Sequence, residues 1–294
     1  MSMTPADAAP PGPAQGGNLA ERSLFSRLVD DAAVFPPGLA PLPRAVTEHL
    51  ARRQEPYADL VGPLLVPASA AADLRDLDRP AALGVGLIGR PGTPVGAVGE
   101  AVRLLAGAAG IAVVGVEVGW SPGWQGALAW DLPLSVEVPR DPAAQDEALS
   151  GLADAQGEST RLQAKLRTGS TPDQGVPTAA ELARFVRGCI DRDLSFKLTG
   201  GLHHALPHTT PDGEEQHGLL GVLCATRWAL NGAGLDDLEA LLTEREPQPL
   251  LDLVTRMSDA DASVVRAFFT AYGCCGVTDP IHDLSTLGLI KEHV

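Results

Sequence analysis

The chain predicts an α/β fold closed into a (β/α)8 barrel, and three observations carry that reading. Apolar stretches of strand length alternate with stretches of helical period along most of the chain, the mark of a parallel sheet with crossover helices. Segments 162–169 and 194–201 each carry one lysine and end in glycine, and between them 179–192 repeats Leu182, Phe185, Val186 and Ile190 at helical spacing. Such a strand-helix-strand unit makes parallel neighbours. A length of 294 residues suits one closed barrel, which takes about 250 residues.

Residues 1–18 are rich in Pro, Ala and Gly without periodicity and read as a disordered tail, leaving 19–294 as a single α/β barrel domain. Residues 24–38 offer the first strand, with Asp30 and Asp31, and a turn through Phe35-Pro36-Pro37-Gly38 that no helix can continue. A helix at 42–53 leads to a second strand at 59–66, stopped by Pro67. A short helix at 70–77, a third strand at 82–88 and a helix at 95–106 follow. The fourth strand is 111–118, then come a helical turn at 124–129 and a fifth strand at 134–138. Asp141 caps the next helix, 141–155, with Pro142 in its first turn.

After the two lysine strands comes an extended segment, 203–263, between strands seven and eight, with helical pieces at 218–230, 235–243 and 250–257. Residues 262–272 lead into the last glycine-cysteine stretch, where the eighth strand is poorly marked. A doubly wound open sheet is therefore the rival fold.

Alternation decides where the charges point. Leu162, Ala164 and Leu166 share one face and oppose Lys165; Leu194, Phe196 and Leu198 oppose Lys197. In the same way Val114, Val116 and Val118 oppose Glu117, and Leu134, Val136 and Val138 oppose Glu137. If the apolar faces pack on helices, four successive strands each send one charge inward, near the strand end where barrel enzymes keep their chemistry. Two ammonium groups in one interior repel and lose solvation, so at least one is expected to have a lowered pKa, and a neutral lysine amine attacks carbonyl carbon. A structural ion-pair layer is the plain alternative. Asp30 and Asp31 join the candidate site because a turn does not need paired acids.

The lysine segments resemble deoxyribose-phosphate aldolase and the wider class I aldolases on the TIM-type barrel. Lys165-Leu166-Arg167-Thr168-Gly169 is similar to that family's Lys-x-x-Thr-Gly, Lys197-Leu198-Thr199-Gly200-Gly201 to its Lys-x-x-Gly-Gly, and Ala271-Tyr272-Gly273-Cys274-Cys275 to its closing phosphate loop. The resemblance implies that Lys165 forms a Schiff base, that Lys197 depresses its pKa, and that Glu117 moves protons. It implies an anion on the backbone amides of Gly200, Gly201, Gly273 and Gly276, with no cofactor required. Glutamate stands at 117 where the family keeps an aspartate, Arg167 intrudes as a bidentate anion binder, and segment 203–263 is longer than the family needs. A different substrate follows from these departures, with Thr168, Thr199, His203 and His204 available to bind it.

Four of the seven histidines, His203, His204, His208 and His217, fall in that segment. Imidazole suits a divalent metal such as zinc, which opens a second reading: a metal-dependent hydrolase or lyase with the lysines as anion binders. Direct contact with substrate or its protons is the other use for them. His282, Asp279 and Asp283 read as ordinary helix-start chemistry. A third reading is a barrel without chemistry that acts as a binding protein.

Composition narrows the partners. A formal charge of -15 argues against a nucleic-acid backbone but permits a locally positive site for a small anionic substrate. The four cysteines lack zinc-ribbon spacing and disulfide density, so reduced thiols in a cytoplasmic protein are expected. No apolar run is long enough to span a bilayer and no leader pattern opens the chain. Nothing in the pattern opposes a homo-oligomer.

Overall fold

Eight parallel strands close on themselves in the computed structural model, which describes residues 19–158 and 161–291. The strands are β1 Val29–Asp31, β2 Val61–Pro67, β3 Leu83–Ile88, β4 Ile111–Gly119, β5 Leu134–Glu137, β6 Leu162–Arg167 and β7 Phe196–Thr199. A two-residue hairpin, β8 His208–Thr209 with β9 Glu215–Gln216, interrupts the series before β10 Phe269–Cys274. β10 pairs with β7 on one side and β1 on the other, so the sheet has no edge and the open-sheet rival is excluded. The expected disordered tail lies outside the described residues.

Closure follows from the strand pattern. Leu134, Val136, Ala164, Leu166, Phe196 and Leu198 all point outward and are buried under the helix layer. Phe185 of helix Ala179–Ile190 meets Phe196 edge-on at 5.5 Å between ring centroids. Each such side chain contributes about 1.5–3 kcal/mol by leaving water. Thr178 and Glu181 form a reciprocal capping box that starts this helix where the periodicity begins.

Two departures from simple alternation have a common cause. β4 carries a bulge: Val113 pairs with Val85 and Gly115 with Gly86, so Val114 has no opposite number. Val114, expected beside Val116 and Val118 in the outer core, is instead 38% exposed. A second register shift between Phe269 and Ala271 breaks the alternation of β10. That shift hides the eighth strand from a period-two search, as does the run-on from helix Asp259–Phe268, which ends one residue earlier.

The long segment after β7 is largely scaffold. Helix Leu219–Leu230 is apolar on nearly every face because helices Leu235–Thr243 and Pro247–Thr255 wrap the side turned from the barrel. No helix among the described residues is long and apolar enough to cross a membrane.

Asp31, expected in the site with Asp30, faces the other way. Its carboxylate is fully buried outside the strand ring, 2.9 Å from Arg52 Nη1 and 3.0 Å from His49 Nδ1, and it also accepts from the Ala33 amide. Adjacent residues of a strand must point to opposite faces, so only one of the pair can enter the barrel. Asp31 ties helix Leu42–Arg52 to β1. Asp31→Asn is expected to cost about 3–5 kcal/mol, because a buried charge pair loses one partner. Thermal unfolding reads that loss, and chemistry at the barrel mouth should be unchanged in the protein that remains folded.

Candidate active site

Inward positions of five strands build one chain of charges. Lys197 Nζ lies 2.6 Å from Asp30 Oδ2 and 2.6 Å from Glu117 Oε1. On the other side of Glu117, its Oε2 is 2.5 Å from Lys165 Nζ, which is 2.8 Å from Glu137 Oε2. Arg167 Nε closes the series at 3.5 Å from Glu137 Oε1. Three carboxylates thus alternate with three cations, and the layer is neutral. Asp30, Glu117, Lys165 and Lys197 are each at most 5% exposed, which only such pairing tolerates.

The two lysines are register partners on β6 and β7, yet they do not depress one another as expected. Burial pulls each pKa down, but Glu117 with Glu137 at Lys165, and Asp30 with Glu117 at Lys197, outweigh it and raise both. Burial pushes the Glu117 carboxyl up, and the two ammonium groups overcome it and hold it at about 2. Glu137 is held low by Lys165 and Arg167 against the same burial. Asp30 runs the other way: burial outweighs its attraction to Lys197 and raises it. Each lysine is shared by two carboxylates. Lys197 donates to Asp30 and Glu117, and Lys165 sits between Glu117 and Glu137.

A cavity of about 310 Å³ opens at the C-terminal ends of the strands, with Glu117, Glu137 and Lys165 in its wall. Lys197 and Asp30 do not line it. They face a smaller space of about 110 Å³ among Ser135, Gln163 and Gly115, toward the strand N-termini. A ligand entering the mouth therefore meets Lys165, with Lys197 behind Glu117.

The glycine loops are tight for a steric reason. Gly200 and Gly201 have φ of +70° and +76°, and a Cβ on Gly169 would lie 3.0 Å from the Gly200 carbonyl carbon. Thr168 is buried beneath the cavity lining and donates its hydroxyl to Gly200 O; it braces the loop. Thr199, Gly200, Gly201 and Gly273 do line the cavity. The expected anion cradle is only partly open. The Gly200 amide donates to Gly273 O at 3.2 Å, and the Asp279 carboxylate packs so closely on Gly276 that a Cβ there would lie 2.1 Å from its oxygen.

The four histidines of the long segment part company. His203 lines the cavity, with Nδ1 3.3 Å from Asp279 Oδ2 and Nε2 3.5 Å from Cys275 Sγ. His204 pairs with Asp283 at 3.0 Å and packs edge-on against His208, ring centroids 4.2 Å apart. His217 is buried and donates Nε2–H to Pro177 O at 2.7 Å. Burial lowers the pKa of His208 and of His217. Among the described residues no group of three or more His, Cys, Asp and Glu is arranged to hold a metal ion. Asp279, in the first turn of helix Thr278–Thr286 as its sequence suggests, and Asp283, one turn further on, also anchor the histidine loop, a pairing across almost eighty positions that no local pattern signals.

The other wall of the cavity is apolar. Phe35, Leu65 and Ile88 line the cavity opposite the charges, and Arg90 lies over the Phe35 ring at 5.4 Å. Leu65 and Ile88 at inward strand positions look like ordinary core in a sequence and Phe35 like part of a turn, so only the closed barrel reveals them as lining.

No protein-family model and no curated protein matches the chain. Among solved structures it is similar to QR15, an aldolase, at 12% identity and a TM-score of 0.38, over 91% of this chain and 99% of that one. So loose an overlap assigns no chemistry.

Proposed function

We propose that this barrel is an aldolase-like lyase that binds a small carbonyl compound as an imine on Lys165. One observation carries the reading: Lys165 is a buried amine in the wall of an open cavity, between two carboxylates. The lysine usage agrees with it. Of 22 Lys and Arg residues only three are lysine, Lys165, Lys197 and Lys291. A chain that makes its other cations arginine keeps two of its three amines inside the barrel, where only an amine can add to a carbonyl.

In this mechanism Glu137 takes a proton from the Lys165 ammonium, and the freed amine attacks the carbonyl carbon. The C–N bond forms as the C=O π pair moves to oxygen. The added nitrogen passes one of its two protons to the alkoxide, Glu137 returns its own proton to the hydroxyl so formed, and water leaves. The product is a protonated imine, so the cation at Lys165 is replaced by another in the same place. Glu117 and Glu137 then hold the iminium as they held the ammonium, with no reorganisation of the layer. The bond between the α and β carbons then breaks: the β-hydroxyl gives its proton to Glu137 and that fragment leaves as a carbonyl, the bond's electron pair moves into the iminium to give an enamine, and Glu137 returns the proton to the α carbon, regenerating the protonated imine for hydrolysis.

The test is borohydride reduction with pyruvate, acetaldehyde and dihydroxyacetone phosphate, followed by peptide mapping. Three lysines make the map simple. A reduced adduct on Lys165 is the expected outcome; adducts confined to Lys291, or none, would sink the reading.

Lys197 acts in this scheme through Glu117. Lys197→Met leaves Glu117 to serve Lys165 alone, which strengthens that pair and stabilises the ammonium. The pH midpoint for adduct formation is expected to rise by about one unit or more. An unchanged midpoint would show that Glu117 does not couple the lysines.

A further inference from the structure

We infer that the cavity takes an unphosphorylated carbonyl compound bearing an apolar group and a carboxylate. The carbonyl part rests on the imine reading above; the apolar and anionic parts rest on the cavity itself.

The barrel interior is divided. At the mouth, β4 to β6 contribute Glu117, Glu137, Lys165 and Arg167, whereas the side of β1 to β3 contributes Ala32, Leu65 and Ile88, a separate buried apolar cluster with Phe35 packed on it. Pro36 and Pro37 extend this wall toward the mouth. A sugar phosphate carries hydroxyls on most carbons, and those turned to this wall would give up water without a replacement partner. A phenyl or branched alkyl group meets the same wall favourably, and about 310 Å³ accommodates one.

The anion end is built from arginine. Arg167 lines the cavity with a side chain 34% exposed and a single long ion pair to Glu137. Arg90, over Phe35, supplies a second fork at the same mouth. Both suit a planar carboxylate. The Glu137 charge beside Arg167 penalises a dianion more than a monoanion. Where a phosphate would otherwise sit, the Gly200 amide is already bonded to Gly273 and the Asp279 carboxylate covers Gly276. A negative side chain there repels a phosphate.

Two measurements on the full chain test this. Borohydride trapping compares phenylpyruvate with dihydroxyacetone phosphate, and saturation-transfer NMR compares phenylpropanoate with glycerol phosphate, neither of which can form an imine. Phenylpyruvate is expected to label Lys165 at a concentration at least about tenfold lower than the phosphate. Phenylpropanoate is expected to bind where glycerol phosphate does not, and to weaken about tenfold or more in Arg167→Met and in Phe35→Ser. Equal or better labelling and binding by the phosphates overturns the inference while leaving the imine intact. Phenylpropanoate binding that depends on Arg167 and Phe35, with no adduct from any carbonyl, upholds the cavity's class and sinks the imine. No binding of phenylpropanoate at all overturns the inference.

Discussion

Lys165→Arg is expected to eliminate the borohydride adduct and all turnover while keeping the barrel folded. The substitution retains the positive charge between Glu117 and Glu137, so the neutral layer survives, but a guanidinium cannot form an imine. Lys165→Ala is the harsher partner experiment. It leaves Glu117 paired with Lys197 and Glu137 with Arg167, so the layer is short of one cation and stability falls by about 3–5 kcal/mol. The two variants separate chemistry from support: both lose the adduct, and only the alanine variant loses much stability. Activity surviving in either variant would end the proposal that Lys165 is the reacting amine.

Glu117→Gln should lower stability as much as any single change in the layer. This carboxylate is the one group shared by both buried lysines, and the amide keeps its size, so no cavity forms and the loss is electrostatic. Leaving a buried cation under-compensated costs about 3–5 kcal/mol, a fall in Tm on the order of 10 °C. The pH dependence has a definite sign. The folded-state pKa of Glu117, about 2, is depressed from its usual 4.5, so its stabilisation is complete above the higher value and drains away as pH falls toward the lower. Asp30, whose pKa is raised, works against this: its contribution is full below its usual 3.8 and is lost as pH rises through the raised value. Acid unfolding followed by circular dichroism should steepen below about pH 4.5 in the parent and flatten in Glu117→Gln. In the same variant Lys165 loses an anion that holds its proton, so adduct formation should reach its midpoint at lower pH. A variant as stable as the parent at neutral pH would mean that the ion-pair layer contributes little.

The inward turn of Glu117, Glu137, Lys165 and Lys197 was legible because strands are a local code. With a period of two, three apolar residues on one face force the charge between them to the other, whatever lies elsewhere in the chain. The same code missed Val114 and blurred Phe269–Cys274, where a bulge and a register shift add a residue that the period cannot count. It was also silent on pKa. Two lysines on neighbouring strands suggest mutual repulsion, but their ionisation is set by the carboxylates that reach between them, and that reach depends on closure around the barrel.

By itself, then, the sequence determined the order of the first seven barrel strands and the helices between them, the inward turn of Glu117, Glu137, Lys165 and Lys197, and the glycine-ended loops, since each depends on residues within a few positions of one another. Tertiary structure decided the rest. It turned Asp31 out to Arg52 and Asp30 in to Lys197, brought β10 against β1, set Lys165 rather than Lys197 at the cavity, and carried Asp279 to His203. Each of these pairs residues far apart in the chain, and the energy of a buried charge belongs to its partners rather than to its neighbours in sequence.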